Sequence, residues 1–409
     1  MPLKDICEFI IDCEHKTAPV QSTGYPSIRT PNIGRGWLEL DDVNHVSQAT
    51  YEEWTQRAKP KEGDLILARE APIGNVAIIP NNLEVCLGQR TVLIRPNREK
   101  VNPHFLLYLL LGNEIQNKLQ AFSGGVTVAH LNMGEIRKLE LPNIPGRIIQ
   151  DKIASILSAY DDLIQNNLRR IKILEEVAQT LYREWFVKFR FPGHQKVRMV
   201  NSSLGKIPEG WEAINILALI EERKARNTND ETLPVLSVTN NRAFVFSDDY
   251  FSKRVYSRSL KNYKLVEKDD FAFNPARVNI GSIAMLDNQQ RGLVSPMYSV
   301  FRAHSKVLPS VLWAIINEER TMEQIRKLCF GTVRQIFKLN DFQQVMIVLP
   351  SITVQRSWLS IIAPFEQQAK LLRKKNDILR QTRDLLLPKL TSGELDVSEL
   401  DITIPEANA

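Results

Sequence analysis

The stretch Ile73–Ile79 reads IGNVAII, and Ile280–Leu286 reads IGSIAML, 207 positions later. The likeness extends to both sides, because EGDLIL and KDDFAF precede the two phrases, and VLIRP and SVFRA follow them. Three matched pairs result: Asp64 with Asp270, Gly74 with Gly281, and Arg95 with Arg302. A repeat this long indicates a duplicated domain, since the repeats of solenoid proteins are about 20 to 50 residues long.

A predicted helix follows each copy of the phrase. The segments NPHFLLYLLLGNEIQNKLQ and LPSVLWAIINEERTMEQIRKL begin at Asn102 and Leu308. Pro103 and Pro309 then occupy the first helical position, where proline is tolerated. Each helix leads into a glycine-containing loop and a short segment that ends in Leu-Pro. The sequence therefore predicts two copies of one α+β domain.

A heptad pattern follows each domain. From Ile153 to Trp185, and again from Trp358 to Leu390, the core positions alternate in steps of four and three residues. The pattern predicts two long helices that pair as an antiparallel coiled coil, in which Asn167 faces Asn376 and fixes the register. The alternative is that each helix packs only on its own domain. Pro388 predicts an early end of the second helix.

Composition limits the class of protein. The chain has 409 residues, 43% of them hydrophobic, which is enough for several domain cores. Its longest strongly apolar stretch, FLLYLLL, is far shorter than the roughly 20 residues that span a bilayer. The N-terminus does not resemble a secretory signal, and four sparse cysteines suit a reducing compartment, so we expect a cytoplasmic protein. A net charge of +6 permits a polyanionic partner.

Enzymatic motifs are missing from the sequence. It contains no GxxxxGK[ST] phosphate loop, no GxGxxG after a strand and no HExxH zinc helix. Its six histidines show no metal-ligand spacing. We therefore expect no catalytic residue, no metal site and no cofactor in this chain.

The order of domain, long helix, domain and long helix resembles the specificity subunit of type I restriction-modification enzymes. The most specific shared pieces are VNIGSIAML with LVSPMYSVFR, SSLGKIPEGWE, and FEQQAKLLRKKNDILRQTRDLLLPKLTSGEL. Family helices often open with Pro-Pro and Glu-Gln, whereas this chain keeps Gln150 and Gln355 without the acid. The first domain also lacks a counterpart of GKIPEGW.

The resemblance implies an α+β fold with two similar target recognition domains that alternate with two spacer helices. We expect target recognition domain 1 at 1–147, spacer helix 1 at 148–190, and target recognition domain 2 with its entry linker at 191–350. Spacer helix 2 is expected at 351–390 and an acidic, solvated C-terminal tail at 391–409.

The resemblance also implies a function and partners. The chain is expected to read a bipartite, asymmetric target in double-stranded DNA, and no membrane is expected to be involved. Two modification subunits would methylate adenine with S-adenosylmethionine, and two restriction subunits would use ATP and Mg²⁺. One alternative is a restriction system whose methylation and cleavage activities share one partner chain. A more distant alternative is a coiled-coil scaffold without DNA specificity.

Candidate DNA contacts lie in the duplicated loops. Their Arg, Asn and Gln side chains can each form two hydrogen bonds with the edge of a guanine or an adenine. They are Arg29, Asn32, Arg69, Gln89, Arg90 and Thr127 in the first domain, and Arg277, Asn279, Tyr298, Arg334 and Gln335 in the second. For each residue the alternative is a surface or turn-stabilising role. Trp185, Phe186 and Phe189 are candidates for partner docking through an exposed apolar face.

Overall fold

The computed structural model describes residues 1–70, 73–122, 130–251, 253–329 and 336–402. The chain is divided into two compact units. Unit 1 comprises Met1–Ile171 and Leu371–Ala409, and unit 2 comprises Lys172–Lys370. The division falls inside both long helices, so each unit contains one domain and a part of each helix.

Unit 1 is a mixed α+β structure. Its strands are β1 (Cys7–Asp12), β2 (Tyr25–Ile28), β3 (Asn44–Val46), β4 (Leu65–Ala68), β5 (Val76–Ile78), β6 (Cys86–Leu87) and β7 (Thr91–Pro96). Its helices are α1 (Gln48–Trp54), α2 (Pro103–Leu111), α3 (Asn113–Phe122) and α4 (Met133–Arg137), followed by the start of α5 (Arg147–Tyr182). Short 3₁₀ turns lie at Leu3–Ile6 and Thr30–Asn32.

Unit 2 repeats this mixture. Its strands are β8 (Met199–Ser202), β9 (Gly205–Pro208), β10 (Glu212–Asn215), β11 (Ile220–Glu222), β12 (Leu236–Val238), β13 (Phe244–Phe246), β14 (Lys264–Glu267), β15 (Asp270–Phe273), β16 (Ile283–Met285), β17 (Arg291–Val294), β18 (Ser299–Ala303) and β19 (Met346–Leu349). Its helices are α6 (Ser247–Tyr250), α7 (Pro309–Asn317), α8 (Glu319–Leu328) and the start of α9 (Ile352–Ser392). A π-helical turn, Arg183–Val187, continues α5, and 3₁₀ turns lie at His194–Lys196, Ile216–Leu219, Val278–Ile280 and Leu339–Gln344.

The central sheet has the same plan in both units. Its antiparallel strand order is β1-β7-β4-β5 in unit 1 and β11-β18-β15-β16 in unit 2. Side chains alternate between two cores, because successive residues of a strand point to opposite faces. Leu65 and Leu67 of β4 pack with α2, whereas Ile66 and Ala68 pack on the other face with Ile28. The predicted duplication is therefore visible in the strand order.

Two ion pairs with buried carboxylates occupy matched places in the sheets. Arg95 binds Asp64 through two hydrogen bonds of 2.8 and 2.7 Å, and Arg302 binds Asp270 at 2.7 Å. Burial raises the pKa of Asp270, and the guanidinium of Arg302 opposes that effect by stabilising the carboxylate. Since both copies keep the pair, it joins the two central strands of the sheet in the same way in each unit.

A glutamine links the start of each long helix to its domain. The side-chain oxygen of Gln150 accepts from the backbone of Asn102 at 2.8 Å, and that of Gln355 accepts from Leu308 at 2.9 Å. Asn102 and Leu308 are the N-cap residues of α2 and α7. The retained glutamines therefore tie the start of the long helix to the start of the domain helix in both units.

The heptad positions are buried or half-buried in the long helices. On α5 and its π-helical continuation they are Ile153, Leu157, Tyr160, Ile164, Asn167, Ile171, Leu174, Ala178, Leu181 and Trp185. On α9 they are Trp358, Ile362, Phe365, Ala369, Leu372, Asn376, Leu379, Arg383, Leu386 and Leu390. In unit 1, the Nδ2 of Asn167 donates to the Oδ1 of Asn376 at 2.8 Å, and both side chains are buried. In unit 2, the ring of Tyr182 meets that of Trp358 at 6.2 Å.

Two expectations about the C-terminal part are wrong. Helix α9 continues through Pro364 and Pro388 to Ser392, because a proline inside a long helix costs hydrogen bonds without necessarily ending it. The tail is not wholly solvated either. Val397 is buried in the core of unit 1, and the Nζ of Lys152 donates to the carbonyls of Val397 and Ser398 at 3.3 and 2.6 Å.

Candidate DNA-recognition sites

A chain of ionic contacts lies at one end of the unit 1 sheet, where β1 and β4 end. The Nη1 of Arg69 donates to Asp12 at 2.5 Å, and its Nε donates to the carbonyl of Leu131 at 2.9 Å. Its Nη2 contacts the Nε2 of His130 at 2.6 Å. Glu70 lies 3.0 Å from the Nδ1 of the same histidine. Arg69 is buried, and its guanidinium holds its neighbours together within unit 1, so its contact with bases stays a prediction.

The contacts of His130 fix its tautomer. A guanidinium can only donate hydrogen bonds, so the Nε2 facing Arg69 must carry the lone pair. The Nδ1 then carries the proton and donates to Glu70.

Arg90 lies at the solvent end of this chain of contacts. Its guanidinium is exposed and binds Glu70 at 2.9 Å, and its backbone has φ = 67°, a left-handed conformation that is uncommon for arginine. The backbone carbonyl of Arg90 accepts from Arg69 at 2.9 Å. Such local strain is often found at functional sites. Arg90 is therefore the best-presented cation at this end of the sheet.

The other candidates of the first domain differ in exposure. Arg29 is exposed, and its side chain passes close to Gly88. A Cβ atom added to Gly88 would lie 2.5 Å from the Cγ of Arg29. Gln89 is half-buried and donates to Thr17 at 3.1 Å. Asn32 is buried, and its amide bonds to the backbone of Arg29 and Glu39 within a turn. The structure thus assigns Asn32 a turn-stabilising role.

The matching end of unit 2 carries different side chains. Arg277 is exposed, Asn279 is half-buried, and Tyr298 is half-buried against the core that contains Val300. Gly281 has φ = 99°, and a Cβ there would lie 2.5 Å from the carbonyl of Asn240. Glycine is therefore required at this position of the repeated phrase. Thr127, Arg334 and Gln335 lie outside the described residues.

The aromatic residues predicted to dock a partner are packed inside unit 2. Trp185 and Phe186 are buried, and the ring of Phe186 lies 5.3 Å from Trp358 and 6.1 Å from Trp211. Phe189 is half-buried with its ring 5.5 Å from Trp211. The docking prediction is wrong because these rings complete the core where α5 ends.

The cysteines are not nucleophiles. Burial raises the pKa of each of the four thiols, to about 12 at Cys7, so they stay protonated at neutral pH. Within the described ranges, every helix is too short or too polar to cross a bilayer. Duplicated units that carry different side chains at their matching ends are typical of a recognition protein.

Comparisons with known proteins show similarity to one family. Residues 1–178 match the family model described as type I restriction modification DNA specificity domain. The MjaIX specificity subunit, from a type I restriction enzyme of Methanocaldococcus jannaschii, is 27% identical over 379 residues, covering 87% of this chain and 83% of that protein. The putative MjaX specificity subunit of the same organism is 23% identical over 412 residues, covering 97% and 93%.

A solved structure shares the fold. The crystal structure of the type I restriction-modification S subunit from M. genitalium has a TM-score of 0.56 and 13% identity, with 95% of each chain covered. Residues 1–178 thus match the DNA specificity domain of type I restriction-modification systems, and most of the chain is similar in sequence to their specificity subunits.

Sequence reasoning missed Asp12, Glu70 and His130, which connect Arg69 to Arg90. Glu70 directly follows Arg69 in the sequence, and this adjacency was the one local signal for an ionic site. Asp12 and His130 lie about 60 positions from Arg69 on either side, so no local pattern could have joined them.

Proposed function

We propose that this chain reads a bipartite, asymmetric DNA target, with one half-site bound at the strand end of each unit. The observation that carries the proposal is a duplicated sheet whose matching ends differ in chemistry. Arg69, Glu70 and Arg90 of unit 1 correspond to Pro275, Ala276 and Met297 of unit 2. Identical scaffolds with different end residues suit two different half-sites, because base-edge contacts specify sequence.

The long helices would hold the two sites apart as an antiparallel coiled coil. The heptad positions, all of them buried or half-buried, and the contact of Asn167 with Asn376 support this arrangement. A polar pair inside an apolar seam selects one register at some cost in stability. The length of the helices would then set the number of unread base pairs between the half-sites.

The outer face of α9 is our candidate for docking the modification subunits. Leu371, Ile378 and Leu385 recur every seven residues on this helix and are all exposed. An apolar stripe with this spacing fits a partner helix. We propose two modification subunits, which bring S-adenosylmethionine, and two restriction subunits, which use ATP and Mg²⁺. This chain would contribute recognition alone.

Methylation mapping tests the proposal. Genomes of cells with and without this chain would be compared for methylated adenine, and one bipartite motif should vanish when the chain is deleted. Arg277→Ala should relax only one half of that motif, and Arg90→Ala only the other. Equal relaxation of both halves by either variant would contradict one half-site per unit.

A further inference from the structure

Three aliphatic side chains are exposed at the strand end of unit 2. Ile280 is 54% exposed, Met297 is 77% exposed and Ile336 is 43% exposed. They come from three separate segments of the chain, so more than one loop contributes to this exposed apolar surface. Apolar groups held in water at a functional end of a domain mark a binding surface.

Backbone contacts place these residues at one end of the central sheet. Ser299 pairs with Phe273, so Met297, two residues earlier, lies beside Pro275 beyond the end of the ladder. Phe337 donates its N–H to the carbonyl of Pro275 at 2.9 Å, which brings Ile336 to the same end. Ile280 lies in the loop that joins β15 to β16.

Unit 1 has the same backbone arrangement with opposite chemistry. Leu131 donates to the carbonyl of Arg69 at 3.0 Å, as Phe337 donates to Pro275. His130 is therefore the counterpart of Ile336. By the same register, Arg90 is the counterpart of Met297. Unit 1 therefore has an ionic surface at the place where unit 2 has an apolar surface.

We propose that unit 2 reads thymine through the C5-methyl group, with Met297 as the principal contact and Ile280 and Ile336 beside it. This inference rests on the function proposed above. The thymine methyl is the apolar group on the major-groove edges of the base pairs, so an apolar surface is complementary to it.

Local charge favours DNA as the occupant of this surface. The loop from Asn274 to Ser282 contains Arg277, which is exposed, and no acidic residue. A cation next to an apolar contact can bind a phosphate while the aliphatic side chains meet the base edge. Acidic side chains would be repelled by the DNA backbone.

The test replaces thymine by deoxyuridine, which removes the methyl group and keeps the base pairing. Binding would be measured with the full chain in complex with its modification partner, on the mapped target, with deoxyuridine in one half-site at a time. The half-site that Arg277→Ala relaxes is assigned to unit 2. We expect about fourfold weaker binding for each contacted methyl removed, the change that corresponds to about 0.8 kcal/mol per carbon.

Three variants make the test more specific. Met297→Ala should weaken binding to the thymine target and abolish the sensitivity to deoxyuridine, and Met297→Leu should retain both. Arg90→Ala, at the matched position of unit 1, should leave the sensitivity of the unit 2 half-site unchanged. Because Met297 is largely exposed, its replacement should not disturb folding.

The outcomes separate this inference from the proposed function. If deoxyuridine in the unit 2 half-site binds as well as thymine, or if both half-sites respond equally, thymine reading by unit 2 is overturned. If the wild-type complex binds its target and a scrambled duplex equally, the proposed function itself fails.

Discussion

Two arginines that are neighbours across the strands of unit 1 have opposite surroundings. Arg69 is buried and saturated by Asp12, His130 and Leu131, whereas Arg90 is exposed and held by Glu70. Residue type alone would give them the same role. Their burial assigns Arg69 to the fold and Arg90 to the surface that we propose meets DNA.

Arg69→Ala should destabilise unit 1 by about 3 kcal/mol or more, because it leaves the Asp12 carboxylate and the Leu131 carbonyl without their donor. Arg90→Ala should change stability by less than about 0.5 kcal/mol. Hydrogen exchange of unit 1 peptides would measure both effects. Equal destabilisation by the two variants would contradict the assignment.

Arg90→Ala should instead act on DNA. If Arg90 contacts a phosphate, the variant should weaken binding to all sequences and lower the slope of log K against log salt by about 1. If it contacts a base, one half-site should be relaxed while the slope stays nearly constant. Binding titrations at several salt concentrations distinguish the two cases, and an unchanged affinity would remove Arg90 from the interface.

At the scale of the helices, a double-mutant cycle tests the buried pair of Asn167 and Asn376. Asn167→Leu alone leaves the Oδ1 of Asn376 without a donor and should cost about 1 to 3 kcal/mol. Replacing both by leucine should recover that loss and add stability while weakening the choice of register. Urea unfolding of the single and double variants gives the coupling energy. Strictly additive effects would mean that the two side chains act independently.

A matched pair of acids on the long helices gives a pH prediction. Asp161 of unit 1 binds Arg383 and accepts from Tyr108 at 2.7 Å. Glu366 stands 205 positions later, where unit 2 has Ala178 and Ala314 in place of the arginine and the tyrosine. Burial raises the pKa of Glu366, and Lys370, the nearby cation, is itself bound to Asp287 at 2.8 Å.

The raised pKa means that folded unit 2 holds the Glu366 proton more tightly than the unfolded chain does. Ionisation therefore costs stability as the pH rises through these values. Glu366→Gln should stabilise unit 2 at about pH 7 and have little effect near about pH 3, which is below the pKa of the acid in both states. Burial also raises the pKa of Asp161, but Asp161→Asn should destabilise unit 1 at neutral pH, because the loss of the partner of buried Arg383 outweighs that effect. Unfolding curves at the two pH values check both signs.

The elements that the sequence predicted best are those with a regular period or a duplicated phrase. The repeat around Gly74 and Gly281 indicated the matching sheets, and the four-three steps identified the buried positions of the long helices. Predictions without such support failed. The segment around Trp185 is apolar, but its sequence could not say whether its own unit or a partner covers it. The burial of Val397 likewise depends on Lys152, a residue more than two hundred positions away.

At the scale of the whole molecule, the proposed role of the helices as spacers can be tested by lengthening them. Inserting seven residues after Glu176 and seven after Ala369 keeps the four-three pattern in both helices. The insertion adds about 10 Å at 1.5 Å per residue. Because DNA rises about 3.4 Å per base pair, the preferred gap between half-sites should grow by roughly three base pairs.

Rotation makes the experiment more demanding than a change of length. Three added base pairs turn the duplex by nearly a third of its roughly 10.5-base-pair repeat, whereas seven residues turn a helix by almost two full turns. The two half-sites would then face their units at an altered angle, so methylation activity should fall even where the gap has lengthened. Methylation mapping of the variant separates these effects, since it reports the motif independently of its yield. If the original half-sites returned at the original gap, the helices would not set the spacing, and the modification subunits would have to set it instead.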